Sequence, residues 1–199
     1  EFRRVLFRSG RIVLDSFEDI ARTAFLAERR GIVQPVLVRA TVGVEAHTHE
    51  FIATAHEDQK FGLSVAAGDV DEAVRRTSKL PSLRFAGLHA HIGSQIFDTA
   101  GFEAAAGRLV AVAQRLAKDF DVSVDELNLG GGMGIAYLDA DDPMSVAEMA
   151  TELGKAIDRA CRDAGLGRPA LAFEPGRAIA GPAGVTIYEV GTVKSRSEE

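Results

Sequence analysis

Tryptophan is absent from the 199 residues, and cysteine occurs once, as Cys161. One cysteine excludes an internal disulfide framework and fits a reducing compartment, so a cytoplasmic protein is expected. Proline is sparse, six residues against 20 glycines, and the glycines keep no three-residue period, which excludes a proline-rich spacer and a collagen-like chain. Positive charge is in deficit: 23 Lys and Arg face 29 Asp and Glu, for a net charge of -6. A nucleic-acid partner normally demands the opposite balance, so none is expected. No apolar run approaches the roughly 18 residues of a membrane-spanning helix, and no apolar stretch follows the basic start as in a signal peptide. No membrane partner is expected either. What is present, 46% hydrophobic and 26% charged residues, suits one globular domain of ordinary size.

The two ends differ from the middle. Residues 1–9 (EFRRVLFRS) show no period, and residues 195–199 are polar. The codons CTC TTC CGA TCT encode Leu6-Phe7-Arg8-Ser9, and their reverse complement AGA TCG GAA GAG encodes Arg196-Ser197-Glu198-Glu199. One short DNA word read on opposite strands gives both ends, as a sequencing-library adapter would. Both ends are therefore set aside, and the chain is expected to be an internal gene fragment.

Between them, short apolar runs rich in β-branched residues recur at 12–14, 36–42, 84–91, 126–129 and 170–173. Near-continuous apolarity over so few residues predicts parallel strands covered on both faces. Helical periods separate them. Asp15 with Glu18 is expected to open the first, with Phe17, Ile20, Ala21 and Ala24 facing inward; Asp69 with Glu72 opens the second, with Val70, Ala73 and Val74. The third repeats Phe102, Ala105, Ala106, Leu109, Val110, Ala113, Leu116 and Ala117. Ser145 with Glu148 caps the fourth, whose stripe runs through Val146, Met149, Ala150, Leu153, Ile157, Ala160 and Cys161. On that stripe the cysteine reads as core packing rather than a nucleophile.

Alternating strands and helices imply a parallel sheet, either doubly wound or part of a barrel. The position of the polar residues chooses between them. Asp15, residues 89–94, 130–134 and 174–177 each follow a different strand. A barrel gathers its chemistry from many strand ends, whereas a doubly wound sheet concentrates it at one switch point. The expected fold is α/β, a partial (β/α)₈ TIM barrel over residues 10–181, with five strands where eight are required.

Three motifs occupy those strand ends. Asn128-Leu129-Gly130-Gly131-Gly132-Met133-Gly134 lets backbone N–H groups approach an anion without side chains in the way, though its spacing is not that of a dinucleotide fingerprint. Phe173-Glu174-Pro175-Gly176-Arg177 joins a carboxylate, a glycine and a guanidinium at one strand mouth. Together the two favour a phosphate-bearing cofactor over a flexible turn and a structural ion pair. The third, His89-Ala90-His91-Ile92-Gly93-Ser94-Gln95, puts two histidines on one side of an extended segment. His47 and His49 repeat that spacing, with His56 nearby, so a metal-dependent barrel hydrolase is a competing reading. It is the weaker one, because His47 and His49 lie in a polar loop and the other strand mouths offer no further ligands.

In this order, the motifs resemble the barrel domain of the pyridoxal-phosphate decarboxylases of the alanine racemase-like type. Residues 36–62, GLHAHIGSQIFD, LNLGGGMGIAYL and FEPGRAIAGP are most similar to the diaminopimelate decarboxylase branch. The resemblance implies pyridoxal 5'-phosphate as cofactor and decarboxylation of meso-2,6-diaminopimelate to L-lysine and carbon dioxide, with no metal. It implies that His91 stacks on the cofactor ring and that Glu174 pairs with the ring nitrogen. Ser94, Gly132 and the backbone at Gly176 and Arg177 would hold the phosphate, Pro175 would lie among the cofactor-binding residues, and Arg177 would also meet a substrate carboxylate. His89 would support the site, with Arg39 and Lys60 outside it. The partner is then a small amino-acid substrate, and the parent a homodimer.

The resemblance also implies missing parts. The lysine that bears the cofactor in this family would precede Gly10, and none of Lys60, Lys79, Lys118, Lys155 or Lys194 has its context. A C-terminal β-domain would begin over 182–194, its first strand near 185–193. The chain alone is therefore expected to be non-catalytic. An ornithine- or arginine-type decarboxylase is the nearest alternative within the family.

Overall fold

The computed structural model describes residues 10–44 and 61–194. Its strands are β1 (Ile12–Leu14), β2 (Gln34–Thr41), β3 (Leu63–Ser64), β4 (Leu83–His89), β5 (Glu126–Asn128) and β6 (Ala170–Ala172). Between and after them come helices α1 (Phe17–Glu28), α2 (Asp69–Ser78), α3 (Ala100–Phe120), α4 (Val146–Asp163) and the short α5 (Gly176–Ala180). All strand pairs are parallel, and their order is β1-β2-β4-β5-β6. A doubly wound sheet reverses its order at a switch point. Here the order never reverses, as in a barrel.

The sixth strand was not expected. β3 is only two residues long, too short for any period, and it pairs Leu63 and Ser64 with Ala40 and Thr41 at the end of β2. Lower down, β2 pairs with β4, with a register shift between Val36 and Leu37 that leaves Ala86 of β4 unmatched. One extra residue in a strand exchanges the faces of everything beyond it. β4 and β5 meet so closely that a Cβ at Gly87 would lie 1.9 Å from the Glu126 carbonyl oxygen.

Capping explains where the helices start and corrects two expectations. α1 is capped by Ser16, whose Oγ accepts the Asp19 N–H at 3.2 Å, not by Asp15 with Glu18. Asp15 is already engaged, accepting from Arg39 at 2.9 Å. α2 has Gly68 at its N-cap and no side-chain cap, because Asp69 lies inside the helix and Glu72 pairs with Arg75 and Arg76. α4 carries the full capping box of Ser145 and Glu148, as the spacing predicts.

The core lies between the strands and helices α1 to α4. Leu14, Val36, Val38, Leu88, Leu127 and Leu129 meet Phe102, Leu109, Leu116, Leu153 and Ile157 there, all essentially without exposure. Truncating one such leucine costs about 3–5 kcal/mol by transfer and cavity terms. Cys161 is buried on α4, and burial pushes its thiol pKa up, as suits a packing residue. The helical stripes are narrower than the sequence suggests, for Ala117, Val146 and Ala150 face solvent.

Beyond α5 and a 3₁₀ turn at Gly181–Ala183, residues 184–194 form no strand, contrary to expectation. Val185, Ile187, Tyr188 and Val190 are more than 80% exposed. A strand needs a neighbouring edge for its N–H and C=O groups, and none meets this segment among the described residues.

Candidate active site

One register line crosses four strands. Arg39 of β2 lies beside His89 of β4, His89 beside Asn128 of β5, and Asn128 beside Ala172 of β6. His89 and Asn128 end their strands and are buried, 4% and 8% exposed. Polar residues survive there only with partners. Both find Glu174, two residues past β6. Asn128 donates from Nδ2 to Glu174 Oε1 at 3.0 Å, and His89 Nε2 stands 3.3 Å from the same oxygen. The Glu174 N–H donates to the Gly130 carbonyl at 2.8 Å, which fixes the turn that presents the carboxylate.

Those contacts set the charge of the site. The His89 ring first, then Asn128 and the nearby His91, hold the Glu174 carboxyl below the usual carboxylate range, against the opposing effect of burial. His91 is shifted down as well, which for an imidazole favours the neutral form. Burial pushes its pKa below the usual imidazole value, and Arg39 and His89 add to the effect while Glu174 opposes it. The Gly131 N–H donates to His91 Nδ1 at 3.2 Å, so that nitrogen carries no proton. A neutral imidazole and an anionic carboxylate therefore stand side by side.

Three glycines close the floor. A Cβ would lie 2.5 Å from the Ala90 carbonyl oxygen at Gly130, 2.3 Å from that of Glu174 at Gly131, and 2.2 Å from that of Gly93 at Gly132. Gly132 also has φ +108°, a conformation open to glycine. The glycines thus allow three loops to pack backbone against backbone. Ile96 completes the packing: its N–H donates to Gly132 and its carbonyl accepts from Gly134, both at 2.9 Å. At Gly176 the situation is opposite, since a Cβ there would meet nothing within 4 Å.

The structure brings His91, Gly132 and Glu174 together, with Pro175 as N-cap and Gly176 as first residue of α5. Ser94 lies in the loop between His91 and the bridge that joins Ile96 to Met133. Arg177 is exposed on α5, and its guanidinium reaches Gln95 Oε1 at 3.4 Å and the Tyr137 hydroxyl at 3.2 Å. Asn128 was missed as a site residue, although a polar residue ending a buried strand is a readable signal. Gln95 and Tyr137 were missed with less to go on. Lys60, His47, His49 and His56 lie outside the described residues. Among the described residues, no group of three or more His, Cys, Asp or Glu side chains is arranged for a metal, and no helix is long and apolar enough to cross a membrane.

Residues 3–181 match the pyridoxal-binding domain of the pyridoxal-dependent decarboxylases. The chain belongs to this family. It is 56% identical over 189 residues to the diaminopimelate decarboxylase of Mycobacterium leprae, covering 93% of this chain and 40% of that one. With the Bacillus subtilis diaminopimelate decarboxylase it shares 39% over 187 residues, 94% of this chain and 43% of the relative. The crystal structure of M. jannaschii diaminopimelate decarboxylase in complex with L-lysine superposes with a TM-score of 0.75 at 27% identity, over 85% of this chain and 38% of that one. The chain thus spans about two fifths of the length of the relatives it matches. The pyridoxal-dependent decarboxylase match replaces the metal-hydrolase reading, and the fold is part of the alanine racemase-like barrel.

The family's cofactor is pyridoxal 5'-phosphate, and the residues fit it. Both contacts to Glu174 fall on Oε1, so Oε2 is left for a further donor. His89 Nδ1 is a buried polar atom without a hydrogen-bond partner, as at a site built around more than its own side chains. At Gly176 the approach to the backbone is open, since a Cβ there would meet nothing within 4 Å.

Proposed function

We propose that this chain forms the cofactor-binding part of a diaminopimelate decarboxylase, which converts meso-2,6-diaminopimelate to L-lysine and carbon dioxide. The observation that carries the reading is the Glu174 carboxylate, held ionised by His89 and Asn128 at the mouth of adjacent strands. Pyridoxal phosphate supplies an electron sink for the pair left when a carboxylate departs as carbon dioxide. Glu174 would hold a proton on the ring nitrogen, which deepens that sink. The neutral face of His91 would stack on the ring, and its lowered pKa keeps a competing positive charge away. Ser94, Gly132 and the backbone at Gly176 and Arg177, next to Pro175, would hold the phosphate.

The Arg177 guanidinium is exposed at the rim, where a planar fork suits a carboxylate of the substrate. A substrate with a second carboxylate is thereby favoured over ornithine or arginine. On the resemblance, the reading extends to a homodimer in the cytoplasm. The test is carbon dioxide release by the full-length protein supplied with cofactor and each of the three amino acids. Release from diaminopimelate alone supports the proposal, and release from ornithine or arginine instead overturns it.

A further inference from the structure

Gln95 adopts φ +61°, the left-handed region that glycine favours and a glutamine rarely occupies. Such a conformation persists when surrounding contacts hold it, and those contacts show what it is for. The Gln95 amide is fully engaged. Nε2 donates to the Ile135 carbonyl at 2.7 Å, and Oε1 accepts the Ile135 N–H at 3.3 Å. The same Oε1 accepts from Arg177 at 3.4 Å. Tyr137, two residues past Ile135, gives Arg177 its other partner through the hydroxyl at 3.2 Å, with the guanidinium 5.9 Å from the ring centroid.

One amide therefore ties the loop after β4 to the loop after β5 and reaches the guanidinium after β6. Arg177 is otherwise an exposed side chain on a five-residue helix with no buried residue. Its free rotamers would cost affinity on every binding event. We infer that Gln95 is a positioning residue: it presets Arg177, with Tyr137, to receive the carboxylate of the substrate. This rests on the assignment of Arg177 under the proposed function. Neither Oε1 contact neutralises the guanidinium, because a neutral amide leaves its charge available for a carboxylate. A glutamate at 95 would keep an acceptor for Arg177, lose the donor to the Ile135 carbonyl and compete for that charge.

The test compares L-lysine, which carries a carboxylate, with cadaverine, which lacks it, by calorimetry on the cofactor-loaded full-length protein. Gln95→Gly deletes the amide while tolerating φ +61°. Gln95→Glu keeps an acceptor for Arg177 but loses the donor to Ile135. We expect Q95G to weaken lysine about tenfold, the scale of one contact organising a charged group, and cadaverine less than about twofold. Q95E, whose carboxylate competes for the guanidinium charge, should also weaken lysine more than cadaverine. Equal losses for lysine and cadaverine in both variants would mean that Gln95 only ties the loops, and would overturn the inference. Arg177→Met separates the two levels. If it leaves lysine affinity unchanged, the assignment of Arg177 fails and the inference fails with it. If it weakens lysine selectively while Q95G does not, Arg177 stands and the role of Gln95 fails.

Discussion

Leu127 of β5 and Leu171 of β6 are register neighbours, yet Leu127 is wholly buried and Leu171 only partly so. The same contrast continues into the site. His89 and Asn128, at the ends of inner strands, are almost without exposure, whereas the Glu174 side chain past β6 is 49% exposed. The inner half of the site is fixed by the core beneath it. The outer half is fixed by hydrogen bonds back to the inner loops: Leu129 N–H to Ala172, Glu174 N–H to Gly130, and Asn128 to Glu174. Two halves of one site therefore rest on different forces, and they should respond differently to substitution.

The largest effect is expected where the chemistry crosses from one half to the other. Glu174→Ala in the full-length enzyme should lower kcat by at least roughly a hundredfold, the scale of a positioned proton-holding group, while the fold is kept. Turnover near normal would break the assignment of Glu174. Next comes the leucine pair itself. In this chain, where β6 is the last strand described, Leu127→Ala should cost about 3–5 kcal/mol in urea unfolding and Leu171→Ala roughly half of that or less, since less area leaves water. Equal losses would show that β6 is as much core as β5.

A smaller effect concerns acidification. His91 and Glu174 both have folded-state pKa values below their unfolded ones. In each case the unfolded chain takes up the proton first as pH falls. Their stabilisation is complete above the unfolded value and is lost on acidification, starting near 6.5 for His91 and near 4.5 for Glu174. Stability should therefore decline between pH 7 and 5.5, and His91→Phe should flatten that decline. An unchanged slope in the variant would remove His91 from the inner half's pH response. The smallest effect belongs to the exposed pair of Arg22 and Glu18 on α1, where Arg22→Ala should shift stability by less than about 1 kcal/mol.

What could be read in the sequence follows the same division. Inner strands were legible because burial on both faces demands unbroken apolar residues, and α4 because Ser145 and Glu148 have the spacing of a capping box. The start of α1 was misplaced by one residue, since Asp15 and Ser16 are both acceptable caps and only the ion pair to Arg39 decides between them. β3 escaped notice because two residues carry no period. In the site, the histidines, glycines and Glu174 stood out as unusual residues at strand ends. Gln95 did not, because its importance lies in a backbone angle and in partners 40 and 82 residues away.

The unreversed strand order has a consequence for synthesis. Each strand from β2 onward, apart from the short β3, docks on an edge that was laid down just before it. A chain emerging from the ribosome can thus add one strand and helix at a time to this part of the sheet. Among the described strands β6 follows the others in the chain, so the carboxylate after it reaches its partners after His89 and Asn128 are in place. The charge arrangement of His89, Asn128 and Glu174 is therefore assembled only once the strand before Glu174 has docked.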